Sequence, residues 1–135
     1  MTDADLVAKK LAFVETCVSD LRTRARPESI ALDLREERFV VHTLQLAIQA
    51  ALDVGSHLVS DERLGEPETN RGIFRLLGRA GVLPGPLAER LELMAGFRNV
   101  VVHMYQDVDL AIVRDVVVNR LDDLLDFAAV IRKRL

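Results

Sequence analysis

A single cysteine, Cys17, stands in 135 residues, which excludes an internal disulfide and any cysteine-rich metal site. Its place in an apolar helical pattern makes it a small buried hydrophobe with no catalytic role. No stretch of eighteen uncharged apolar residues occurs, so no membrane-spanning helix is expected. The opening run Met1-Thr2-Asp3-Ala4-Asp5 is acidic where a secretory signal is basic. A cytoplasmic protein without membrane association is the expectation. Lysine is scarce, three against fifteen arginines, and the net charge is −3. The overall basic footprint of a nucleic-acid-binding chain is therefore missing, and any RNA affinity must come from a local patch. Arginine suits bidentate phosphate contacts, although a GC-rich genome accounts for the bias more simply. Strand alternation is absent outside Val100 to Val102, where three β-branched residues weaken a helix. Repeats and low-complexity linkers are absent as well.

What is present is apolar surface in helical register. Half the residues are hydrophobic, and a chain of 15.1 kDa of this kind suffices for one domain, residues 1–135, with a real core. Val7, Leu11, Val14, Val18 and Leu21 form the seam of a first helix, closed by Arg26-Pro27. Two parallel seams, Val40, Leu44, Ala47, Ala51, Val54 and Leu58 beside Val41, Ile48, Leu52 and Val59, predict a long second helix buried over a wide arc. Gly65-Glu66-Pro67 breaks the chain. Thr69 or Asn70 can cap a short helix carrying Ile73, Phe74, Leu76 and Leu77, which Gly81 ends. Pro84-Gly85-Pro86 reads as the next turn. A further helix starts at Leu87, Leu91 and Met94 and continues through the flanking periodicity of Val100 to Val102. A last helix, capped by Asp107 or Asp109, has the seam Leu110, Val113, Val117, Leu121, Leu124, Ala128 and Ile131. The fold class predicted is all-α, an antiparallel bundle of four main helices plus a short one.

One apolar run is interrupted by chemistry. In Phe97-Arg98-Asn99-Val100-Val101-Val102-His103-Met104-Tyr105 every residue but Arg98, Asn99, His103 and Tyr105 is apolar, and Arg98 and Tyr105 occupy stripe positions where apolar residues belong. Burying an unpaired ion costs on the order of several kcal/mol. The segment therefore either holds a structural polar network or lines a functional cleft. On a helix Arg98 returns to the face of Tyr105 and Asn99 to that of His103, while Arg98 and His103 diverge by roughly 140° and flank a groove. A helix ending near His103 would favour its protonated form, and a cationic imidazole beside Arg98 is a site for phosphate or another anion. His42 and His57 show no metal-ligand spacing with His103, so no metal and no cofactor is expected. Arg71, Arg75 and Arg79 recur every four residues along one face, which can track phosphates but is more often simply a solvated face.

The string Arg-x4-His-x-Tyr at Arg98, His103 and Tyr105, with Asn99 directly after the Arg, resembles the signature of the HEPN superfamily and in particular its HepT toxin branch. Residues 38–48 and 53–58 resemble that family's second helix, 87–105 its motif helix and 107–131 its closing helix, so the resemblance spans nearly the whole chain. It implies a metal-independent endoribonuclease toxin that works as a two-fold homodimer with a composite site. It also implies a partner, an MntA-like nucleotidyltransferase antitoxin, which neutralises the toxin by transferring adenylate from ATP to the motif tyrosine, here Tyr105. Higher hetero-oligomers with the antitoxin belong to the same expectation.

The chemistry of the residues agrees with an RNA substrate. Cleavage without metal needs a base for the ribose 2′-hydroxyl, an acid for the leaving 5′-oxygen and a cation for the charge gathering on the phosphate. His103 is the candidate acid or base and Arg98 the phosphate clamp. Asn99 can position His103 or donate to the phosphate, and Tyr105 can contact substrate through its ring or hydroxyl. One His per chain leaves the second proton transfer unassigned, a role a two-fold partner would fill. The other class of reading is a non-catalytic helical module that binds nucleotide or docks a nucleotidyltransferase through the same Arg and His.

Overall fold

The computed structural model describes residues 3–103 and 108–135. The described residues form six α-helices and a short 3-10 turn, with no strand among them: α1 (Ala4–Arg24), the turn Pro27–Ser29, α2 (Leu34–Asp61), α3 (Asn70–Arg79), α4 (Gly85–His103), α5 (Leu110–Asn119) and α6 (Leu121–Arg132). Among the described residues no helix is long and apolar enough to cross a membrane.

The first helix starts where Asp3 accepts from the Leu6 N–H and buries the seam read from sequence, together with Cys17. Burial, with a contribution from Asp20, pushes the Cys17 thiol up, so it stays protonated. The second helix is the axis of the bundle: at 28 residues it is about 42 Å long, and it packs against α1, α3, α4, α5 and α6. All of its predicted core residues are buried except Val41, which packs partly exposed against the core. Each fully buried Leu, Val or Phe contributes on the order of 1.5–3 kcal/mol. The Phe74 and Phe127 rings meet edge to face at 5.7 Å and tie α3 to α6.

Two elements differ from the expectation. The single closing helix predicted over 107–131 is two helices, α5 and α6, joined at Arg120, whose backbone sits at φ −119° and ψ −1°. The run Val116 to Val118 followed by Asn119 has low helix propensity, and the Asn119 amide donates to Asp115 Oδ1 at 2.7 Å. The seam survives the break, since Val113, Val117, Leu121, Leu124, Ala128 and Ile131 are all buried. Pro84-Gly85-Pro86, read as a turn, is the start of α4, with the Ala88 N–H already donating to Pro84 O at 2.9 Å. Prolines are tolerated there because a first helical turn has no use for their missing N–H groups.

Asp109 accepts from the Ala111 N–H and caps α5, whereas the alternative cap, Asp107, lies outside the described residues. Thr69 rather than Asn70 caps α3, accepting from the Gly72 N–H. This leaves the Asn70 side chain for other work. The third helix is seated by two close approaches: a Cβ on Gly55 of α2 would stand 2.7 Å from Ile73 Cγ2, and one on Gly78 would stand 2.7 Å from the Ala88 Cβ of α4.

Candidate functional site

Helical phase divides α4 into three stripes. Leu87, Leu91, Met94, Ala95 and Val101 are buried and form the core stripe. Arg98 falls in the same arc, at about 100° per residue, so a cationic side chain has been placed where a Leu would complete the packing. It is partly buried, and its Nε is buried without a hydrogen-bond partner among the described residues. A buried N–H with no acceptor costs on the order of 1–3 kcal/mol. The fold therefore accepts at this point the cost of a charged side chain that is only partly buried.

The second stripe, Glu92, Gly96 and Asn99, faces α3. Arg75 donates through Nε to Glu92 Oε1 at 2.9 Å. Arg71 donates through Nε to the main-chain oxygen of Glu92 at 3.1 Å. Its guanidinium lies flat on α4 because Gly96 has no side chain: a Cβ there would stand 3.1 Å from Nε and 3.2 Å from Cζ. One turn on, Asn70 Nδ2 donates to Asn99 Oδ1 at 3.0 Å. The arginine row thus divides, with Arg71 and Arg75 engaged on α4 and Arg79 exposed.

The third stripe is apolar and open. Leu93 is 65% exposed and Val100 48% exposed, with the partly buried Phe97 between them. Across a groove of about 240 Å³ lined also by Met94 and Val116 lies Ile112 of α5, itself 51% exposed. At this groove Arg90 donates to Asp123 Oδ1 at 2.8 Å and ties α4 to α6. Asp123 is 7% exposed, and sequence reading missed it because an acid in the first turn of a helix looks like a dipole complement.

Arg98 and Asn99 therefore share the last turns of α4, and position 103 ends the helix as described. The side chain of His103 and the whole of Tyr105 lie outside the described residues, so the predicted groove between Arg98 and His103, the expected charge on His103 and the placement of Tyr105 lie outside them too. The other histidines stand elsewhere: His42 is exposed on α2, and His57 borders a polar hollow with Lys10, Asp53, Ser56 and Ser60. Asn70 went unrecognised in sequence beyond its capping potential, and no spacing rule could have joined it to Asn99, 29 residues away.

Comparison with known proteins agrees with this architecture. The mRNA nuclease HepT of Shewanella oneidensis is 30% identical over 129 residues, 95% of this chain and 97% of that protein. The tRNA nuclease HepT of Aphanizomenon flos-aquae is 34% identical over 87 residues, 61% of this chain and 59% of its own. Among solved structures, the tri-AMPylated Shewanella oneidensis HEPN toxin in complex with MNT antitoxin superimposes with a TM-score of 0.88 at 30% identity, covering 98% of this chain and 99% of that one. Residues 14–131 match the family described as Ribonuclease HepT-like. The sequence, the all-helical fold and these matches agree, and the chain belongs to the HepT-like ribonuclease family.

Proposed function

We propose that this protein is the toxin of a toxin–antitoxin pair, an endoribonuclease that cleaves cellular RNA without a metal ion through Arg98 and His103 and is held in check by a nucleotidyltransferase antitoxin. The observation that carries the reading is the partly buried Arg98 on the core stripe of α4, whose Nε has no hydrogen-bond partner among the described residues. A permanently charged fork that stays partly exposed is suited to the oxygens of a phosphodiester. His103 exchanges protons with the substrate. A base takes the 2′-hydroxyl proton, O2′ attacks phosphorus, the bond from phosphorus to O5′ breaks, and an acid returns a proton to O5′. The products are a 2′,3′-cyclic phosphate and a free 5′-hydroxyl. Arg98 stabilises the charge that gathers on the non-bridging oxygens during the attack.

One His103 per chain serves one proton transfer, and a second copy of the chain supplies the other. The open stripe of Leu93, Phe97 and Val100, continued by Ile112, is a contiguous apolar surface on the motif helix and supports a two-fold interface there. Leu93→Glu should yield a monomer by light scattering and lose most of the RNase activity while the helical content stays. A stable parent monomer at micromolar concentration would remove the composite site.

The deciding experiment is RNA cleavage in chelator by the parent, Arg98→Ala and His103→Ala. The two variants should lose on the order of 10² to 10⁴ in rate and keep the parent's circular dichroism. Cleavage by both at the parent's rate, or no cleavage by the parent, rejects the reading. Control by the antitoxin falls on Tyr105. Its hydroxyl attacks the α-phosphorus of ATP, pyrophosphate leaves, and the phenolic proton passes to a base. The appended adenylate places a phosphodiester beside Arg98 and His103 and blocks the substrate's place. Co-expression with a cognate nucleotidyltransferase antitoxin should add adenylate mass to a peptide containing Tyr105 and silence the RNase, and Tyr105→Phe should escape both. An unmodified toxin after active co-expression would reject that control point.

A further inference from the structure

The α3-facing stripe of α4 does not stop at the residues α3 covers. Glu92, Gly96, Asn99 and His103 follow one another at intervals of four, three and four residues, which keeps these positions within an arc of about 60°. The first three meet α3 in turn: Glu92 takes Arg75 and Arg71, Gly96 lies under Arg71, and Asn99 accepts from Asn70. Position 103 is the next on the stripe, one turn beyond the contact between the two asparagines.

We infer that Asn70 is a positioning residue for the motif, fixing which end of the Asn99 amide is offered to the substrate. The two ends of an amide are nearly equal in shape and opposite in hydrogen-bonding sense. Turned one way, Asn99 presents an N–H donor to a phosphate or to a neighbouring imidazole. Turned the other way it presents an oxygen, which repels an anion. Asn70 Nδ2 donates to Asn99 Oδ1 at 3.0 Å, so the oxygen is engaged and Asn99 Nδ2 is the end left over. Asn70 is held in place through its backbone. It is the first residue of α3, directly after the Thr69 cap. The helix is pinned to α4 by the Arg71 and Arg75 bonds to Glu92 and by the approach of Gly78 to Ala88.

This inference rests on the reading of Arg98 and His103 as the reaction site. Its test is the isosteric change Asn70→Asp. A carboxylate at 70 accepts and cannot donate, so Asn99 must turn its N–H toward position 70 and its oxygen toward the site. A purely structural role makes the opposite forecast, because an acid in the first turn of a helix is favourable and the contact itself survives. We expect Asn70→Asp to keep or raise the parent's Tm while kcat at saturating RNA falls by about 100-fold, the lower end of what losing one substrate-facing donor costs. Asn70→Ala, which frees Asn99 without reversing it, should lose about 3- to 10-fold. The added negative charge also repels RNA, but that effect appears in KM and shrinks as salt rises, whereas the loss in kcat persists.

Arg98→Ala and His103→Ala run beside these variants as controls. If both controls are inactive and Asn70→Asp cleaves at the parent's kcat, or Asn70→Ala is the more damaged of the pair, the inference is overturned and the site reading stands. If both controls cleave at the parent's rate, the site reading fails and takes the inference with it. Should Asn70→Asp fail to fold, Asn70→Ala decides alone, with a parental kcat counting against the role.

Discussion

Around α1, α2 and α6 several charged groups pair at the rim, Lys10 with Asp53 at 3.2 Å, Arg132 with Glu15 at 2.6 Å and Arg134 with Glu62 at 2.5 Å, and of the charged groups only Asp123 of α6, held by Arg90 of α4, is buried among the described residues. The surface they enclose is apolar, from Val7 and Leu44 to Phe127 and Ile131. Along α3 and α4 polar groups enter the packing itself. Arg98 takes a core position with its Nε unmatched among the described residues, Arg71 lies on bare helix backbone, and two asparagines meet between the helices. The first region devotes its residues to stability. The second holds polar groups in place at a cost that stability alone would not select, which is how binding sites commonly differ from the scaffold that carries them.

The contrast is open to measurement, beginning where the loss of stability should be greatest. Phe127→Ala removes a fully buried ring packed on Phe74 and should cost about 3–5 kcal/mol in chemical denaturation. A loss under about 1 kcal/mol would mean that the α6 side is not the stability core. Gly78→Ala comes next. Its new methyl would meet the Ala88 Cβ at 2.7 Å, an atom attached directly to a helix backbone, so α3 must shift. A cost of about 1–3 kcal/mol is expected, with a fall in RNase rate as Asn70 moves; a fully active, equally stable variant would show that the α3 seating is irrelevant to the site.

The sharpest contrast comes from Arg98→Met. It keeps an unbranched stem and removes the unmatched Nε, so it should abolish cleavage while raising stability by about 1 kcal/mol. A destabilised Arg98→Met would place Arg98 among the structural residues after all. The smallest effect belongs to Cys17, buried on α1 with its thiol held protonated. A thiol reagent at a pH of about 8 should leave the native protein unlabelled and label it fully in denaturant. The folded state, with its raised pKa, retains the proton that the unfolded chain gives up first, so the stabilising contribution is full at neutral pH and fades as pH rises through the unfolded value toward the folded one.

The sequence was most legible where periodicity and packing say the same thing. The seams of α1 and α2 and the caps Thr69 and Asp109 are local features, and a bundle of such helices follows from them. The break at Arg120 escaped because the seam is apolar on both sides of it, so periodicity alone carries straight through a bend. At the site, Arg98 and Asn99 were visible as polar residues in an apolar run, which is a contrast along the chain. Asn70, Gly96 beneath Arg71, and the Arg90–Asp123 pair were not, because each becomes meaningful only when a second helix arrives. Contacts that join distant segments leave no trace in spacing.

Gly55 and Gly78 have a consequence for anyone who would move this site to another scaffold. Gly55 lets α2 come close to Ile73 of α3 and Gly78 lets α3 come close to Ala88 of α4, and together they seat the helix that carries Asn70. Copying the Arg-x4-His-x-Tyr string onto a foreign helix would transfer the proposed reacting groups without the helix that packs beside them. The portable unit is larger: the segment from the Thr69 cap through the motif to Tyr105, grafted onto a host helix with a small residue opposite Ile73.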